Sequence, residues 1–335
     1  MKARAAVVGA GSWGTALALL LHRNGHPVRL WSYEPEVARA IREEGENRAY
    51  LAGVPVPRDL AVTADLAEAL RGAELVVSVT PAQFVGKVMG EAAPHIDPDT
   101  IVVSASKGIE TGTLRRVDQI LASILPERAG KRLVILSGPS FALEVAQETP
   151  TVVVAASASE EARVAVQRAF GSPTFRVYTN ADVVGVGLAG ALKNVIAIAT
   201  GVCAGLGFGH NTQAAVITRG LAEMTRLGVA MGAQASTFYG LAGIGDLVLT
   251  CTGELSRNRT TGFRIGRGES VAQILADTRS VVEGVLTTPA AHALAAREGV
   301  EMPIVEQMNA ILKEGKAPRE AVQDLMLRDP KSESL

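Results

Sequence analysis

Aromatic residues and surplus charge are both scarce in this chain of 335 residues. Phe, Trp and Tyr make up 4% of it, and 33 Lys and Arg against 34 Asp and Glu give a formal net charge of -1. A chain so nearly neutral has no overall field that would draw it to nucleic acid or to an anionic membrane surface. We therefore expect neither kind of partner.

Cysteine and histidine are also too few and too scattered to build a disulfide framework or a metal site. Cys203 and Cys251 are the two cysteines, which fits a reducing compartment and predicts a cytoplasmic location. Among the five histidines, His22 and His26 are four positions apart. The Asn-Gly pair between them is expected to end any helix there. No metal site is predicted.

Apolar residues, in contrast, are abundant enough for large buried cores. They make up 47% of the chain, with 20% charged residues, and at roughly 100–200 residues per domain the length predicts two domains. Short β-rich runs alternate with helical patterns in residues 1–180, and helical periods dominate in residues 181–335. The predicted fold class is α/β, with an N-terminal Rossmann-like doubly wound sheet followed by a mainly α-helical domain.

The strands of the first domain are predicted from continuous apolar runs, which are typical of a parallel sheet covered on both faces. The predicted strands are Ala5–Gly9, Val28–Trp31, Leu75–Thr80, Ile101–Ser104, Leu133–Ser137, Thr151–Ala156 and Thr174–Tyr178. The predicted helices among them are Thr15–Arg23, Glu34–Glu44, Leu66–Arg71 and Glu160–Phe170.

One later stretch is long and apolar enough to span a membrane. It runs from Val183 to Gly207 and contains a single charged residue, Lys193. A lysine near the centre of a spanning helix costs about 2.5–3.5 kcal/mol. The stretch is also rich in glycine and lacks aromatic anchors at its ends. We expect a buried helix at a domain interface and no membrane span.

A GxGxxG motif at residues 9–14 predicts a dinucleotide site, because it follows a predicted strand and opens a predicted helix. Gly9 permits a tight turn, Gly11 lets a pyrophosphate approach the backbone, and Gly14 allows close packing of helix on strand. The N-terminus of the helix then presents free N–H groups and a positive dipole end to the phosphates. The expected cofactor is NAD(H), NADP(H) or both.

The residues after the second predicted strand leave the choice between the two dinucleotides open. An NAD site usually has an acidic residue at this point, whereas the strand is followed here by Ser32 and then by Tyr33 and Glu34. Ser32 neither repels a 2′-phosphate nor binds the ribose as a carboxylate would. Because no Arg stands at positions 32–34 either, use of both NADH and NADPH is plausible.

Two lysines are candidates for the chemistry. Lys193 lies in an apolar helix, where an ammonium is costly and its pKa is easily moved, and such groups are functional candidates. The alternative is a lysine that extends to the surface. Lys107 follows the predicted strand Ile101–Ser104, at the carboxyl end of a parallel sheet where ligands bind. The alternative there is an exposed loop lysine.

Three further segments carry groups that suit a phosphorylated substrate. Gly138-Pro139-Ser140 follows a predicted strand, and Ser140 is expected to cap the next helix. Asp246 follows a glycine-rich turn. The segment of residues 256–259, Ser-Arg-Asn-Arg, offers an Arg fork suited to a phosphate monoester, although a solvated basic face is the alternative.

Together these segments resemble the bacterial glycerol-3-phosphate dehydrogenases that use NAD(P). The matching stretches are GAGSWGTALA from residue 9, SASKGIE from 104, SGPSFALEVA from 137, LKNVIAIATG from 192, ITRGLAEMTRLG from 217, LAGIGDLVLTCTGELSRNRTTG from 241 and VVEG from 281. They occur in a fixed order along nearly the whole chain, which makes the resemblance far more specific than any one motif.

The resemblance implies reversible NAD(P)H-dependent reduction of dihydroxyacetone phosphate to sn-glycerol 3-phosphate, which supplies glycerophospholipid synthesis. It implies that Lys193 is the proton donor and acceptor and that Arg257 and Asn258 hold the phosphate. The substrate contacts that it implies are Lys107, Gly138, Ser140, Lys193, Asp246, Ser256, Arg257 and Asn258. The dinucleotide contacts that it implies are Ser12, Trp13, Tyr33, Lys107, Ala142, Arg257, Val281 and Glu283.

Two other functions remain alternatives. A two-domain 3-hydroxyacid or ketopantoate reductase would share the architecture but take a carboxylate substrate, and the Arg-rich segment favours phosphate over that. A dinucleotide sensor without catalysis would have no use for a buried lysine, and Lys193 is present. A homodimer is expected only because two-fold dimers are the commonest oligomers.

Overall fold

The structure is a computed structural model, and it describes residues 2–330 together with 332 and 333. The chain divides into two compact units. Unit 1 consists of Met1–Ser106 and Val117–Val183, and unit 2 consists of Lys107–Arg116 and Val184–Leu335. The short segment Lys107–Arg116 therefore belongs to the second unit, although strands of the first unit precede and follow it in sequence.

Unit 1 is an α/β structure built on one large sheet. Its strands are β1 Ala5–Val8, β2 Val28–Trp31, β3 Glu46–Asn47, β4 Leu51–Pro55, β5 Ala61–Thr63, β6 Leu75–Ser78, β7 Ile101–Ser104, β8 Val134–Ser137, β9 Thr151–Ala156 and β10 Phe175–Asn180. Its α-helices are α1 Ser12–Arg23, α2 Pro35–Glu44, α3 Leu66–Leu70, α4 Val85–Ala92, α5 Val117–Ile124, α6 Glu127–Lys131, α7 Ala142–Ala146 and α8 Glu160–Phe170.

The large sheet is doubly wound, as predicted. Among the described residues it has eight strands in the order β10-β9-β8-β7-β6-β1-β2-β5. The strand order reverses at β1, which pairs in parallel with β2 on one side and with β6 on the other. The carboxyl ends of strands on either side of such a reversal form the crevice where ligands bind in open α/β sheets.

One pairing departs from the parallel arrangement that the apolar strands suggest, because β9 runs antiparallel to β8. The chain between these strands contains only the short helix α7, which packs against α1. It returns to the sheet without the long crossover that parallel neighbours need. Strand β10 then pairs in parallel with β9 after helix α8.

Helix α1 explains why its sequence is apolar nearly all round. Its residues from Gly14 to Leu21 are all buried, and Leu17 and Leu21 join the core with Val7 and Val77 of the adjacent strands. A helix covered on most sides is expected to show little polar face. This packing fixes the N-terminal end of α1 beside the carboxyl end of β1.

Unit 2 is helical, as predicted. Besides the segment Lys107–Arg116, it contains α9 Val183–Gly205, α10 His210–Ala230, α11 Ala235–Phe238, α12 Asp246–Thr252, α13 Arg257–Gly266, α14 Val271–Ala276, α15 Glu283–Glu298, α16 Pro303–Asn309 and α17 Pro318–Met326. A π-helical turn, Leu241–Gly245, leads directly into α12.

Helix α9 is a buried helix and gives no clear indication of a membrane span. By length and composition it could cross a membrane, but 83% of its most apolar 18-residue window is buried. Helix α13 crosses it at backbone distance. A Cβ atom on Gly201 would lie 2.1 Å from the carbonyl oxygen of Arg259, and one on Gly262 would lie 2.0 Å from that of Ile198. Glycine is therefore required on both helices at this crossing.

Candidate active site

The glycine-rich turn of unit 1 has the geometry that a dinucleotide pyrophosphate requires. Gly9 has φ +125°, and a Cβ atom on Gly14 would lie 1.8 Å from the carbonyl oxygen of Gly9. A Cβ atom on Gly11, in contrast, would meet nothing within 4 Å. Gly11 is also the N-cap of α1, and no side chain caps the helix there. The turn thus leaves room and free N–H groups where the phosphates would bind.

An asparagine from a short hairpin, formed by β3 and β4, holds this turn in place. The side-chain amide of Asn47 donates to the carbonyl oxygen of Ala10 at 2.8 Å and to Thr15 Oγ1 at 2.8 Å. Asn47 is 1% exposed. Since the carbonyl of Ala10 and the N–H of Gly11 share one peptide unit, the amide of Asn47 fixes the direction in which that N–H points.

The residues after β2 are arranged differently from the expectation. Ser32 is buried, and its hydroxyl donates to the carbonyl oxygen of Glu34 at 3.0 Å. Tyr33 is 70% exposed, with its ring edge-on to Trp31 at 6.1 Å. The carboxylate of Glu34 accepts hydrogen bonds from the hydroxyl of Tyr50 at 2.8 and 3.0 Å. Ser32 is therefore bonded within its own turn, and the carboxylate that follows β2 is that of Glu34.

The turn after β8 requires glycine, but Ser140 does not act as predicted. Gly138 has φ +134°, and a Cβ atom there would lie 2.9 Å from Val153 Cα. The prediction that Ser140 caps α7 is wrong: Phe141 is the N-cap, and no side chain caps the helix. The hydroxyl of Ser140 donates instead to the carbonyl oxygen of Gly138 at 3.0 Å. Ala142 is the first residue of α7.

In unit 2, Lys193 is buried and does not extend to the surface. Its ammonium donates to Asp246 Oδ1 at 2.6 Å and to Thr250 Oγ1 at 2.8 Å. The side chain is 9% exposed. Asp246 begins α12 and Thr250 lies one turn later, so the two side chains share one face of that helix. The lysine of α9 therefore binds to the first turn of α12.

A second lysine binds the other oxygen of the same carboxylate. Lys107 Nζ donates to Asp246 Oδ2 at 2.7 Å, and the side chain of Asp246 is 1% exposed. The segment of residues 107–116 is thus tied to α12 by this ion pair. Two ammonium groups flank one buried carboxylate, which gives the lysine–aspartate cluster, Lys107, Lys193 and Asp246, a formal charge of +1.

The pKa values in this cluster follow from burial and from the neighbouring charges. Burial lowers the pKa of Lys193 to about 8, although the charge of Asp246 acts in the opposite direction. For Asp246, burial by itself raises the pKa, but the charges of Lys107 and Lys193 outweigh it and hold the pKa below its usual value. Near neutral pH, an anionic Asp246 therefore faces a lysine that readily gives up its proton.

Two asparagines connect the helices around this cluster. The amide of Asn258 donates to Asn194 Oδ1 at 2.9 Å, and Asn258 Oδ1 accepts from the backbone N–H of Gly284 at 3.0 Å. Asn194 follows Lys193 on α9, Asn258 lies on α13, and Gly284 lies in the first turn of α15. This asparagine bridge fixes three helices to one another close to Lys193.

The Arg-rich segment separates into groups with different environments. Ser256 caps α13, since its hydroxyl accepts the N–H of Arg259 at 3.2 Å. Arg257, the first residue of α13, is an exposed residue, but burial of its guanidinium lowers its pKa, and the charge of Glu283 acts in the opposite direction. Glu283 begins α15, and Val281 precedes it. Arg264, in contrast, bonds to the carboxylates of Glu269 and Asp277 and belongs to the surface.

Within unit 2, the fold brings together Lys107, Lys193 and Asp246 and joins the segments of Asn258 and Glu283 through Gly284. Within unit 1, it places Ser12 and Trp13 in the first turn of α1, directly after Gly11. Among the described residues, no group of three or more His, Cys, Asp or Glu side chains could hold a metal ion.

The sequence interpretation missed several residues around these groups. Thr250 stands four residues after Asp246, a helical spacing that could have indicated it, and Asn194 adjoins Lys193. Asn47 and Tyr50 had no such signal, because their roles depend on a hairpin whose first strand is only two residues long.

Comparison with known proteins gives consistent matches along the chain. Residues 4–163 match the family model of the NAD-dependent glycerol-3-phosphate dehydrogenase N-terminus, and residues 182–323 match that of its C-terminus. A glycerol-3-phosphate dehydrogenase [NAD(P)+] from Citrifermentans bemidjiense is 57% identical over 335 residues, covering 100% of both chains. One from Geobacter sulfurreducens is 54% identical over 333 residues, 99% of each.

A solved structure agrees with these relatives. The crystal structure of glycerol-3-phosphate dehydrogenase from Coxiella burnetii superimposes with a TM-score of 0.93 at 41% identity, covering 98% of this chain and 99% of that one. The likeness extends over both units.

Proposed function

The chain belongs to the NAD-dependent glycerol-3-phosphate dehydrogenase family, and from this we propose that it reduces dihydroxyacetone phosphate to sn-glycerol 3-phosphate with NADH or NADPH, reversibly. The product is the backbone precursor of glycerophospholipids. We further propose that unit 1 binds the dinucleotide and that unit 2, which includes Lys107, carries the catalytic lysine and most of the substrate-binding groups.

The observation that carries this proposal is the buried lysine–aspartate cluster. Lys107 and Lys193 each bind one oxygen of the buried Asp246 carboxylate, which holds the ammonium of Lys193 in a fixed position. A buried ammonium such as that of Lys193 is costly unless anionic groups balance it. The alkoxide oxygen that develops during ketone reduction is such a group, and stabilising it is how an oxyanion site accelerates a reaction.

When bound, the reduced nicotinamide supplies the hydride for the C2 carbonyl carbon of the ketone. The ammonium of Lys193 donates a hydrogen bond to the carbonyl oxygen and then transfers its proton to the alkoxide. Asp246 holds the lysine by one oxygen and is itself held by Lys107 through the other. In the reverse direction, neutral Lys193 accepts the proton of the C2 hydroxyl.

The substrate phosphate binds to Arg257, with help from Asn258 and Ser256. The guanidinium of Arg257 lies at the start of α13, where the N–H groups of the first turn also favour an anion. Asn258 uses one amide hydrogen for Asn194, which leaves its second for a phosphate oxygen. Phosphate binding in this way positions the carbonyl next to Lys193.

The remaining dinucleotide and substrate contacts that we propose come from the glycine motif and from the family pattern. The motif gives Gly9, Gly11 and Gly14, and the family pattern gives Ser12, Trp13, Tyr33, Gly138, Ser140, Ala142, Val281 and Glu283. We also propose a cytoplasmic location and a homodimer. Light scattering during gel filtration tests the dimer, which requires a mass twice that of the chain.

The direct test of the activity is the loss of absorbance at the nicotinamide band when the purified protein is mixed with NADH or NADPH and dihydroxyacetone phosphate. We expect turnover with this ketone and little with ketopantoate or other 2-oxoacids, which carry a carboxylate instead of the phosphate. Turnover of the 2-oxoacids alone would favour the hydroxyacid reductase alternative. No turnover of any ketone, with dinucleotide binding intact, would favour the sensor.

A further inference from the structure

The segment that follows strand β2 contains one carboxylate, that of Glu34, two residues after Ser32. Counting from the end of the strand points to Ser32 as the residue nearest the ribose, and not to Glu34. Ser32 is the first residue after the strand, but it is 1% exposed and its hydroxyl is bonded to the carbonyl oxygen of Glu34. A buried side chain with a partner of this kind is a poor contact for a ribose hydroxyl. The tight turn that this bond closes brings Glu34 to the carboxyl end of β2.

The carboxylate of Glu34 is oriented by Tyr50. The tyrosine hydroxyl lies 2.8 Å from one carboxylate oxygen and 3.0 Å from the other. Glu34 is the N-cap residue of α2, yet its side chain makes no capping hydrogen bond to that helix. A carboxylate has two oxygens and can accept several hydrogen bonds at the same time.

The backbone and the β3–β4 hairpin place Glu34 beside the glycine-rich turn. The N–H of Gly9 donates to the carbonyl oxygen of Trp31 at 3.1 Å, which ties the turn to the end of β2. From the other side, Asn47 holds the carbonyl of Ala10, and Tyr50 N–H donates to the carbonyl oxygen of Asn47 at 3.2 Å. The tyrosine that orients Glu34 is thus anchored through Asn47 to the turn that would bind the pyrophosphate.

Two arginines of this region, Arg29 and Arg48, are directed to other partners. Arg29 donates to the carbonyl oxygens of Glu68 and Arg71. Arg48, which is nearest in sequence to Tyr50, forms ion pairs with Glu44 and Glu46. A 2′-phosphate would therefore meet a carboxylate, while these guanidinium groups are engaged elsewhere.

We propose that Glu34, held by Tyr50, recognises the 2′-hydroxyl of the adenosine ribose and makes the protein select NADH over NADPH. The carboxylate accepts a hydrogen bond from a ribose hydroxyl and repels the negative charge of a 2′-phosphate. This inference rests on the proposed function, since it concerns the dinucleotide of that reaction.

The test compares both dinucleotides by binding and by turnover. Fluorescence titration of the full-length protein gives Kd for NADH and NADPH without any ketone, and kcat/KM is then measured with dihydroxyacetone phosphate. We expect NADH to bind at least about tenfold more tightly than NADPH. We expect Glu34→Gln to reduce this ratio of the two Kd values by about tenfold, because the repulsion between the carboxylate and the 2′-phosphate is lost. The effect should weaken in high salt.

Two further variants make the result specific. Tyr50→Phe keeps the carboxylate but removes its anchor, and we expect an intermediate ratio together with an intact fold. Glu43→Gln removes an equivalent charge two turns further along α2, at an exposed position, and should leave the ratio unchanged. Thermal unfolding of each variant establishes that it is folded.

The two ways of failing can be told apart. Equal or tighter binding of NADPH by the wild type, or an unchanged ratio in both Glu34→Gln and Tyr50→Phe, would overturn the assignment of Glu34. Selective NADH binding without turnover of dihydroxyacetone phosphate would support Glu34 and would count against the proposed function.

Discussion

The ammonium of Lys193 is bound to Asp246 and Thr250 in a helix that is buried along most of its length. Its pKa is lowered to about 8, so the proton that the ketone needs is lost just above neutral pH. We predict that kcat/KM for reduction is level below this pKa and falls as pH rises through about 8. For alcohol oxidation, which needs the neutral amine, it should rise through the same range.

Replacing this lysine tests the assignment directly. Lys193→Ala should lower turnover by roughly 10²–10⁴-fold, the usual contribution of a positioned acid–base group, and should remove the limb near pH 8. Dinucleotide affinity, measured by fluorescence titration, should change little. A variant that keeps more than a tenth of wild-type turnover, or that keeps the same pH limb, would show that another group transfers the proton.

Arg257 is the residue whose role depends most on the substrate phosphate. Removing it deletes a charge-assisted hydrogen bond worth roughly 1.5–3 kcal/mol. Arg257→Ala should therefore cost on the order of 10- to 150-fold in kcat/KM with dihydroxyacetone phosphate. Arg257→Lys should restore only part of it, because an ammonium lacks the bidentate geometry.

The control for Arg257 is a substrate without the phosphate. Wild-type protein should use dihydroxyacetone very poorly, and Arg257→Ala should barely change that residual rate. Equal proportional losses with both substrates would mean that Arg257 supports the fold or the dinucleotide instead. Because Arg257 interacts with Glu283 at the start of α15, dinucleotide affinity should be measured in the same variant.

At the scale of elements, the crossing of α9 and α13 depends on glycine. A Cβ atom on Gly201 would lie 2.1 Å from the carbonyl oxygen of Arg259 and 2.9 Å from the backbone nitrogen of Phe263. Both contacts are with backbone atoms, which cannot move aside as a flexible side chain could. We predict that Gly201→Ala forces the helices apart and destabilises the protein by about 1–3 kcal/mol, as overpacking of a core does. Chemical denaturation followed by circular dichroism measures this change.

A matched glycine provides the control. Gly90 lies within helix α4, and a Cβ atom there would meet nothing within 4 Å. Gly90→Ala should be neutral or stabilise by up to about 1 kcal/mol, because alanine is the better helix former. Similar losses in the two variants would mean that helix propensity rather than the close crossing decides the outcome.

Elements with a long hydrophobic pattern could be predicted from the sequence, and short ones could not. Helix α1, strand β2 and the buried helix α9 were predicted because each has a sustained apolar run between clear end signals. Strands β3 and β5 span only two and three residues, too few to show a period. The contribution of Asn47 and Tyr50 to the dinucleotide turn was therefore not predictable.

The same limit applies to the candidate site. The sequence indicates each of the three charged residues separately. Lys107 follows a predicted strand, Asp246 follows a glycine-rich turn, and Lys193 lies within an apolar run. Their contacts span 53 and 139 residues of sequence, and no local pattern encodes such a separation. Packing of α9, α12 and the segment of residues 107–116 within unit 2 determines that both lysines bind the same carboxylate.

For the molecule as a whole, the dependence of stability on pH comes from groups whose pKa differs between the folded and the unfolded chain. One of them is Glu223 on α10, which is 3% exposed and accepts the backbone N–H groups of Ile304 and Val305 at 2.8 and 3.3 Å. Its carboxylate thus caps the N-terminus of α16. Burial raises the pKa of Glu223 to about 7, despite these hydrogen bonds.

The raised pKa of Glu223 fixes the sign of its effect on stability. The folded protein holds this proton up to about pH 7, whereas the unfolded chain loses it near the ordinary value of 4.5. The folded state therefore binds more protons in this range, and its stabilisation by protonated Glu223 is lost as pH rises from 4.5 through 7.

We predict that Glu223→Gln, which cannot ionise, flattens the fall in unfolding temperature over this window. Glu306→Gln, an exposed change in the first turn of α16, should leave the fall unchanged. If wild type and Glu223→Gln lose stability in parallel between pH 5 and pH 8, then Glu223 is already ionised in the folded protein, and its charge is compensated by the α16 N-terminus.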